Sequence, residues 1–395
     1  MVLLLKPTLA CNNNCKYCYQ KAIKHFFVEY NIDKVLETAE RVYKETKMRP
    51  IALHGGEPLI MPLKDIEACL KFAYRHTGES SIVTNGLNIN DEIIKLFKKY
   101  KTIVDISIDG LPHMNILRCN KEKTERIMKN IELLVQEGVK VFPMTVLHKY
   151  NKNPKDLLEF INWLRKIGIN DIHVMYCRPP EIPTDYMLSP EELLEVFKFL
   201  TKIHISSFDF RVDQVDYFIS NLCGSPIIND CFMTPCDIFC PERAITILGD
   251  GTVTGCMFTN LHIQHFSRLK EPIYVRYMAL RKIPVSDGGC GGCKYWTICY
   301  GGCPGSATDW RMKDWYCYTF YKIYEYLEEN IVKIYRREGL ADGVGYERED
   351  PIEDKEVHVV VYRHPKVRIN VFRKTTVNSI TVIETPEKVE VIYKP

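Results

Sequence analysis

CNNNCKYCYQ, residues 11–20, places three cysteines within eight positions, with only ten residues ahead of the first. The spacing C-x3-C-x2-C leaves Cys11, Cys15 and Cys18 too close together to pair comfortably as disulfides with one another. The preceding run VLLLKPTL (2–9) reads as a strand, so the thiols sit on a loop that leaves a strand's carboxyl end.

Downstream, the same rhythm recurs. PIALH (50–54), SSIVT (80–84), TIVDISI (102–108), VKVFPMTVL (139–147) and DIHVMY (171–176) read as strands. Helices with apolar residues at helical spacing follow at about 32–47, 62–76 and 90–100, in EKTERIMKNIELLVQEG, at 154–167 and at 190–203. Six strand–helix units predict an α/β fold built on a partial (β/α)6 TIM-type barrel. Chemistry in such barrels gathers at the carboxyl ends of the strands, where the cysteine loop begins.

Composition narrows the classes. The 395 residues carry a net charge of +3, which suggests neither a nucleic-acid-binding tail nor a polybasic membrane arm. No apolar run reaches membrane-spanning length, and MVLLLKPTLAC lacks the basic start and cleavage site of a signal peptide. The expectation is a cytoplasmic protein with no nucleic-acid or membrane partner. Its sixteen cysteines then point to metal rather than to disulfides.

A tetrahedral zinc site usually takes four ligands, or three with wider loops between them. Three thiolates on one tight loop suit three irons of a 4Fe–4S cube, leaving the fourth iron open. This pattern, with the aromatic Tyr17 before the third cysteine, resembles the signature of the radical SAM superfamily. The resemblance implies that S-adenosylmethionine (SAM) chelates the open iron and is cleaved to a 5′-deoxyadenosyl radical. HGGEP (54–58) on its own is a glycine-rich turn. In the family a GGEP turn at this place receives the SAM amino group, with Gly55 and Gly56 permitting close approach and Glu57 offering an acceptor. TNG (84–86) and SIDG (107–110) resemble family segments that line the SAM site. The implied contacts are Tyr17, Gly55, Gly56, Glu57, Asn85, Ser107 and Asp109, the last two on ribose hydroxyls. Arg126 is a candidate for the SAM carboxylate, or else a solvated helix arginine.

A second cysteine set follows. CPERAITILGDGTVTGC (240–256) and CGGCKYWTICYGGC (290–303), with Cys317, resemble the SPASM auxiliary-cluster module of radical SAM enzymes that modify peptides and proteins. The family pattern assigns Cys290, Cys293, Cys299 and Cys317 to an outer cluster. It gives Cys240, Cys256 and Cys303 to an inner one, completed by Cys236 or, less favoured, Cys231. Three 4Fe–4S clusters result. LGDGTVTGC also reads as a hairpin with Asp-Gly at its tip.

The expected organisation is a barrel at 1–225, an iron–sulfur domain at 226–335, and a linker with a β-rich tail at 336–395. The tail is either a lid or oligomerisation element or a platform for an extended peptide. The implied function is radical modification of a peptide or protein, by thioether or carbon–carbon crosslinking or a related oxidation, with electrons from a donor such as ferredoxin or flavodoxin. Modification of a haem or quinone precursor, anaerobic sulfatase maturation and a non-catalytic electron carrier are the alternatives. An intact SAM pocket argues against the carrier. Sulfatase maturases of this type usually carry Asp after the cysteine matching Cys256, where this chain has Met257. No residue is singled out as a catalytic acid or base.

Overall fold

The computed structural model describes residues 2–20, 29–177, 184–206, 210–222, 244–254, 273–307 and 312–337, and the backbone of four strands from Val357 onward. The expected alternation is present: β1 (Val2–Lys6), α1 (Ile32–Thr46), β2 (Ile51–Leu53), α2 (Leu63–Thr77), β3 (Ser80–Thr84), α3 (Asp91–Lys99), β4 (Thr102–Ser107), α4 (Lys121–Gln136), β5 (Lys140–Leu147), α5 (Pro154–Lys166), β6 (Asp171–Tyr176) and α6 (Pro190–Ser206). β1 to β6 are parallel and lie side by side in chain order, as an incomplete (β/α) barrel requires. A short β7 (Arg211–Val212) extends the β6 edge and leads into α7 (Asp213–Leu222).

Local chemistry explains the element boundaries. α1, α3, α4 and α5 each begin behind an asparagine, Asn31, Asn90, Asn120 or Asn153, whose side chain accepts a first-turn amide. Such a cap stabilises a helix by about 1 kcal/mol relative to alanine. α5 also starts on Pro154, whose missing N–H is no loss at that position. In β4, Val104 and Ile106 are buried, while Ile103, Asp105 and Ser107 alternate with them and are half-buried. The buried set packs under the helices, and the other faces the interior. Asp105 accepts a bond from Ser81 Oγ at 3.1 Å, yet burial pushes its carboxyl up to about 6.

The Cys-rich half is built into the same sheet. β8 (Ala244–Leu248) pairs in parallel with β1 on the side opposite β2, from Val2↔Ala244 to Lys6↔Leu248. β9 (Val253–Thr254) returns antiparallel to β8. The turn between them is the expected Asp-Gly hairpin: Gly251 has φ +85°, and Leu248 N donates to Thr252 O at 2.9 Å. Helix Cys317–Arg337 packs on α6 and α7. Just ahead of it, Tyr316 Oη donates to the carbonyls of Cys177 (3.1 Å) and Leu188 (3.0 Å). Thr319 Oγ1 donates to Pro190 O at 2.6 Å. The tail forms a separate four-stranded antiparallel sheet in the order β10 (Val357–Tyr362), β13 (Lys388–Tyr393), β12 (Ile380–Glu384), β11 (Arg373–Val377).

Candidate active site

The cysteine loop leaves β1 and is held by backbone contacts along its length. His54 N donates to Leu5 O at 2.7 Å, Gly56 N to Thr8 O at 2.9 Å and Glu57 N to Ala10 O at 2.9 Å. The β1–β2 pairing therefore continues past both strands, up to the residue before Cys11. This closeness is what the glycine pair permits. A Cβ on Gly55 would lie 2.4 Å from Thr8 O, and one on Gly56 would lie 2.2 Å from Ala10 O. The close approach is thus made to the chain's own backbone.

Glu57 is turned inward. It is wholly buried, and its carboxylate accepts from Leu59 N (3.0 Å), Thr84 Oγ1 (2.7 Å) and Asn85 N (2.6 Å). Burial raises its pKa, and these three donors oppose the rise. The carboxylate ties the β2 turn to the β3 turn. Asn85 passes the tie on, because its Nδ2 donates to Asn12 Oδ1 at 2.7 Å, between the first two cysteines.

Cys11, Cys15 and Cys18 line one small cleft with Leu9, Asn13, Asn14, Gln20 and Gly56. All three are free thiols, as is every cysteine among the described residues. Asn13 serves two of the sulfurs: its backbone N–H is 3.4 Å from Cys11 Sγ and its Nδ2 is 3.6 Å from Cys15 Sγ. Burial pushes the Cys15 thiol up to about 11, with Arg118 pulling the other way. Among the described residues no three groups already stand as a metal-ligating set. The donor chemistry nonetheless fits an iron–sulfur cluster: three soft thiols on one loop, with N–H groups aimed at sulfur.

Behind the loop lies a buried polar network that the sequence reading missed. Asp109 is completely buried and Arg118 is 8% exposed, and their ion pair measures 3.0 Å. Asp109 Oδ1 also accepts from Val146 N at 3.0 Å, and Oδ2 accepts from Tyr17 Oη. His148 Nδ1 accepts from Tyr150 N at 3.2 Å, which puts the ring proton on Nε2, 3.5 Å from Asp109 Oδ2. Burial would raise the Asp109 pKa, but Arg118 and then His148 bring it down to about 2. Asp109 is therefore committed to protein partners, as Glu57 is. On the other side, buried Lys6 donates to Tyr19 Oη at 3.0 Å. Burial, with Lys6 adding to it, holds His54 well below the usual imidazole range.

The remaining expected contacts separate. Ser107 is half-buried at the end of β4, whereas Arg126 is exposed on α4. Lys123, one turn earlier, is the α4 cation that reaches the loop, with Nζ 3.4 Å from Asn12 O. Neither Lys6 nor Arg118 nor Lys123 carries a motif. The only sequence signal was a lysine ending an apolar strand and an arginine in the mixed segment NILRCN.

Of the second cysteine set, Cys231, Cys236, Cys240 and Cys256 lie outside the described residues, as does Met257. Cys290, Cys293, Cys299 and Cys317 come together. Burial pushes Cys299 up to about 12, with Cys317, Cys290 and Cys293 each adding to the rise. Buried Arg276 braces the intervening loop by donating to Gly301 O (2.9 Å), Met312 O (3.0 Å) and Tyr300 O (3.2 Å). Cys303 is buried as well, and its N–H is held by Asp314 Oδ2 at 3.0 Å.

Comparison with known proteins gives three likenesses and a family match. The model of the Radical SAM superfamily matches residues 5–164. The cysteine-type anaerobic sulfatase-maturating enzyme of Clostridium novyi is 25% identical over 335 residues, which cover 76% of this chain and 87% of that protein. The solved structure of anSMEcpe with bound AdoMet and Cp18Cys peptide matches at TM-score 0.65 and 20% identity, over 85% of this chain and 98% of that one. Streptococcus suis SuiB bound to precursor peptide SuiA matches at TM-score 0.57 and 16% identity, over 80% and 75%. Likeness at such identities speaks for a shared fold.

Proposed function

With a radical SAM domain over residues 5–164, this chain is a radical SAM enzyme, and we propose that it oxidatively modifies a side chain of a peptide or protein. The observation that carries this reading is the 335-residue alignment with a sulfatase-maturating enzyme, which is too long for the barrel alone and takes in part of the Cys-rich region. Likeness in fold to two structures with bound peptides adds to it.

Cys11, Cys15 and Cys18 would hold a 4Fe–4S cluster, which with SAM supplies a 5′-deoxyadenosyl radical when bound. The chain's own residues shape that site. The GGEP turn, Asn85, Ser107 and Tyr17 would surround SAM, with Asp109 and Glu57 holding the surrounding loops in register. Arg126 would take the SAM carboxylate by swinging in from its exposed position. Cys290, Cys293, Cys299 and Cys317 would hold an outer auxiliary cluster. Cys240, Cys256 and Cys303, with Cys236 in preference to Cys231, would hold an inner one, giving three in all. Electrons would come from a ferredoxin or flavodoxin, in the cytoplasm. Among the described residues no helix is long and apolar enough to cross a membrane.

A second reading, sulfatase maturation, is favoured by the same alignment and opposed by Met257, which stands where such enzymes usually carry Asp. One experiment separates the readings. The reduced, reconstituted chain is incubated with SAM, first alone, then with Cys- or Ser-containing sulfatase-type peptides, and then with haem or quinone precursors. 5′-Deoxyadenosine must form. A new peptide aldehyde supports sulfatase maturation, and a crosslink or other peptide oxidation supports the broader reading. Turnover of only the small precursors would refute both.

A further inference from the structure

Arg118 is buried beside the cysteine loop, and no motif accounts for it. It lies in the connection between β4 and α4, and that connection runs against the loop: Lys16 N donates to Leu117 O at 2.7 Å. The residue bonded there sits between Cys15 and Cys18. The Arg118 guanidinium lies 5.5 Å from the centre of the Tyr17 ring, so it stacks over the residue next to Cys18. Its Nη2 is 3.0 Å from Asp109 Oδ1. Among the described residues its buried Nε–H has no hydrogen-bond partner, and neither has His148 Nε2 beyond its 3.5 Å approach to Asp109.

A purely structural ion pair would leave neither donor unmet. Burying a charged group is costly unless its partners are good, and leaving a donor unpaired adds to that cost. The negative partner is also shared. Asp109 serves Tyr17, Val146 N and His148 as well as Arg118, so its one charge is divided among several partners, one of them on the loop itself, while the guanidinium faces the loop across the Tyr17 ring.

We propose that Arg118 is a positioning residue for the cysteine loop, one that seats the Cys15–Cys18 segment through Tyr17 and fixes a positive charge behind the cluster those cysteines hold. This rests on the radical SAM reading of the loop. A cluster on three thiolates becomes more negative when it accepts an electron. A fixed cation in a low-dielectric site favours that reduced state and raises the reduction potential. Arg118 would therefore ease the reduction of a cluster held by these cysteines.

The test uses the full chain with all clusters reconstituted. Iron content is measured, and the potential is read by redox titration of the reduced-cluster EPR signal that changes on adding SAM. Wild type, Arg118→Lys, Arg118→Gln, Asp109→Asn and the double variant Asp109→Asn/Arg118→Gln are compared. Arg118→Lys, which keeps the charge, should hold its iron and titrate close to wild type. Arg118→Gln should titrate lower, with the reduced fraction at a fixed potential falling about tenfold, a one-electron shift of about 59 mV. If Arg118→Gln fails to assemble this cluster, the double variant, which strands no buried charge, carries the measurement against Asp109→Asn, from which it differs only in the cation, and should titrate below it. Equal potentials across the series, or equal shifts in the Lys and Gln variants, would overturn the role of the charge. A wild type with no SAM-responsive signal would instead overturn the radical SAM reading of the loop.

Discussion

Glu57 offers the sharpest test of how the site is held together. Its carboxylate receives Leu59 N, Thr84 Oγ1 and Asn85 N inside a fully buried pocket. Glu57→Ala strips the acceptor from all three donors. At about 1–3 kcal/mol for each buried donor left unmet, the local loss is on the order of 3–6 kcal/mol after partial relaxation. Glu57→Gln keeps one oxygen, which can still serve Leu59 N and Thr84 Oγ1, but turns an NH2 towards Asn85 N. One donor is stranded, and part of that cost is offset because an amide is easier to bury than a carboxylate. The net loss is about 1–2 kcal/mol. Hydrogen exchange read by mass spectrometry on peptides spanning 54–62 and 82–90, in cluster-free protein without SAM, measures this directly. At 1.36 kcal/mol per tenfold, the Gln variant should exchange roughly 5–30 times faster at Leu59 and Asn85, and the Ala variant more than 100 times faster. Unchanged exchange in both variants, with SAM binding alone weakened, would show that Glu57 serves the cofactor and not the turn.

Three further outcomes follow from the geometry. Gly56→Ala drives a methyl group to 2.2 Å from Ala10 O, so the segment leading into Cys11 must move by about 1 Å to restore contact distance. The variant should lose most SAM cleavage and much of one cluster's iron, and full iron with normal cleavage would contradict the tight fit. Replacing Cys11, Cys15 and Cys18 together with Ala should remove roughly one third of the iron expected for three four-iron clusters and abolish 5′-deoxyadenosine formation. For Asp105, a folded pKa near 6 against an ordinary 3.8 means that the folded chain binds its proton more tightly. Stability should then fall as pH rises from about 4 to about 6, by at most about 3 kcal/mol and nearer 1–2 for a half-buried group. Asp105→Asn should flatten that slope in denaturant unfolding at several pH values, and parallel curves for the two proteins would exclude it.

The barrel was legible because its signals are local. Alternation marks β4, and asparagine caps fix the starts of α1, α3, α4 and α5 within a residue or two. The cysteine loop and the GGEP turn were visible as motifs, but what their residues do was not. Glu57 and Asp109 look like outward-facing acceptors in one dimension, yet both are buried and bonded to groups from other segments, Asn85 in one case and Tyr17, Arg118 and Val146 in the other. No spacing rule reveals such partners, because they meet only when separate βα loops converge. Arg118 and Lys6 were hidden for the same reason. The Asp-Gly hairpin of β8 and β9 could be read from its turn, but not the strand that β8 would join.

That strand is β1, and its pairing bears on how the chain is made. Val2 to Lys6 are synthesised before the strands they pair with, and one of their two neighbours, Ala244 to Leu248, follows roughly 240 residues later. Closing so long a loop is slow and entropically costly, and until it closes the β1 edge is an open row of backbone donors and acceptors. A chain stopped before β8 would expose that edge beside the cysteine loop. Expression of the first 222 residues alone should therefore yield aggregates, and a separately supplied fragment containing β8 should rescue solubility. The strand that carries the cysteine loop thus gains one neighbour early, from β2, and the other only after the rest of the barrel has been made.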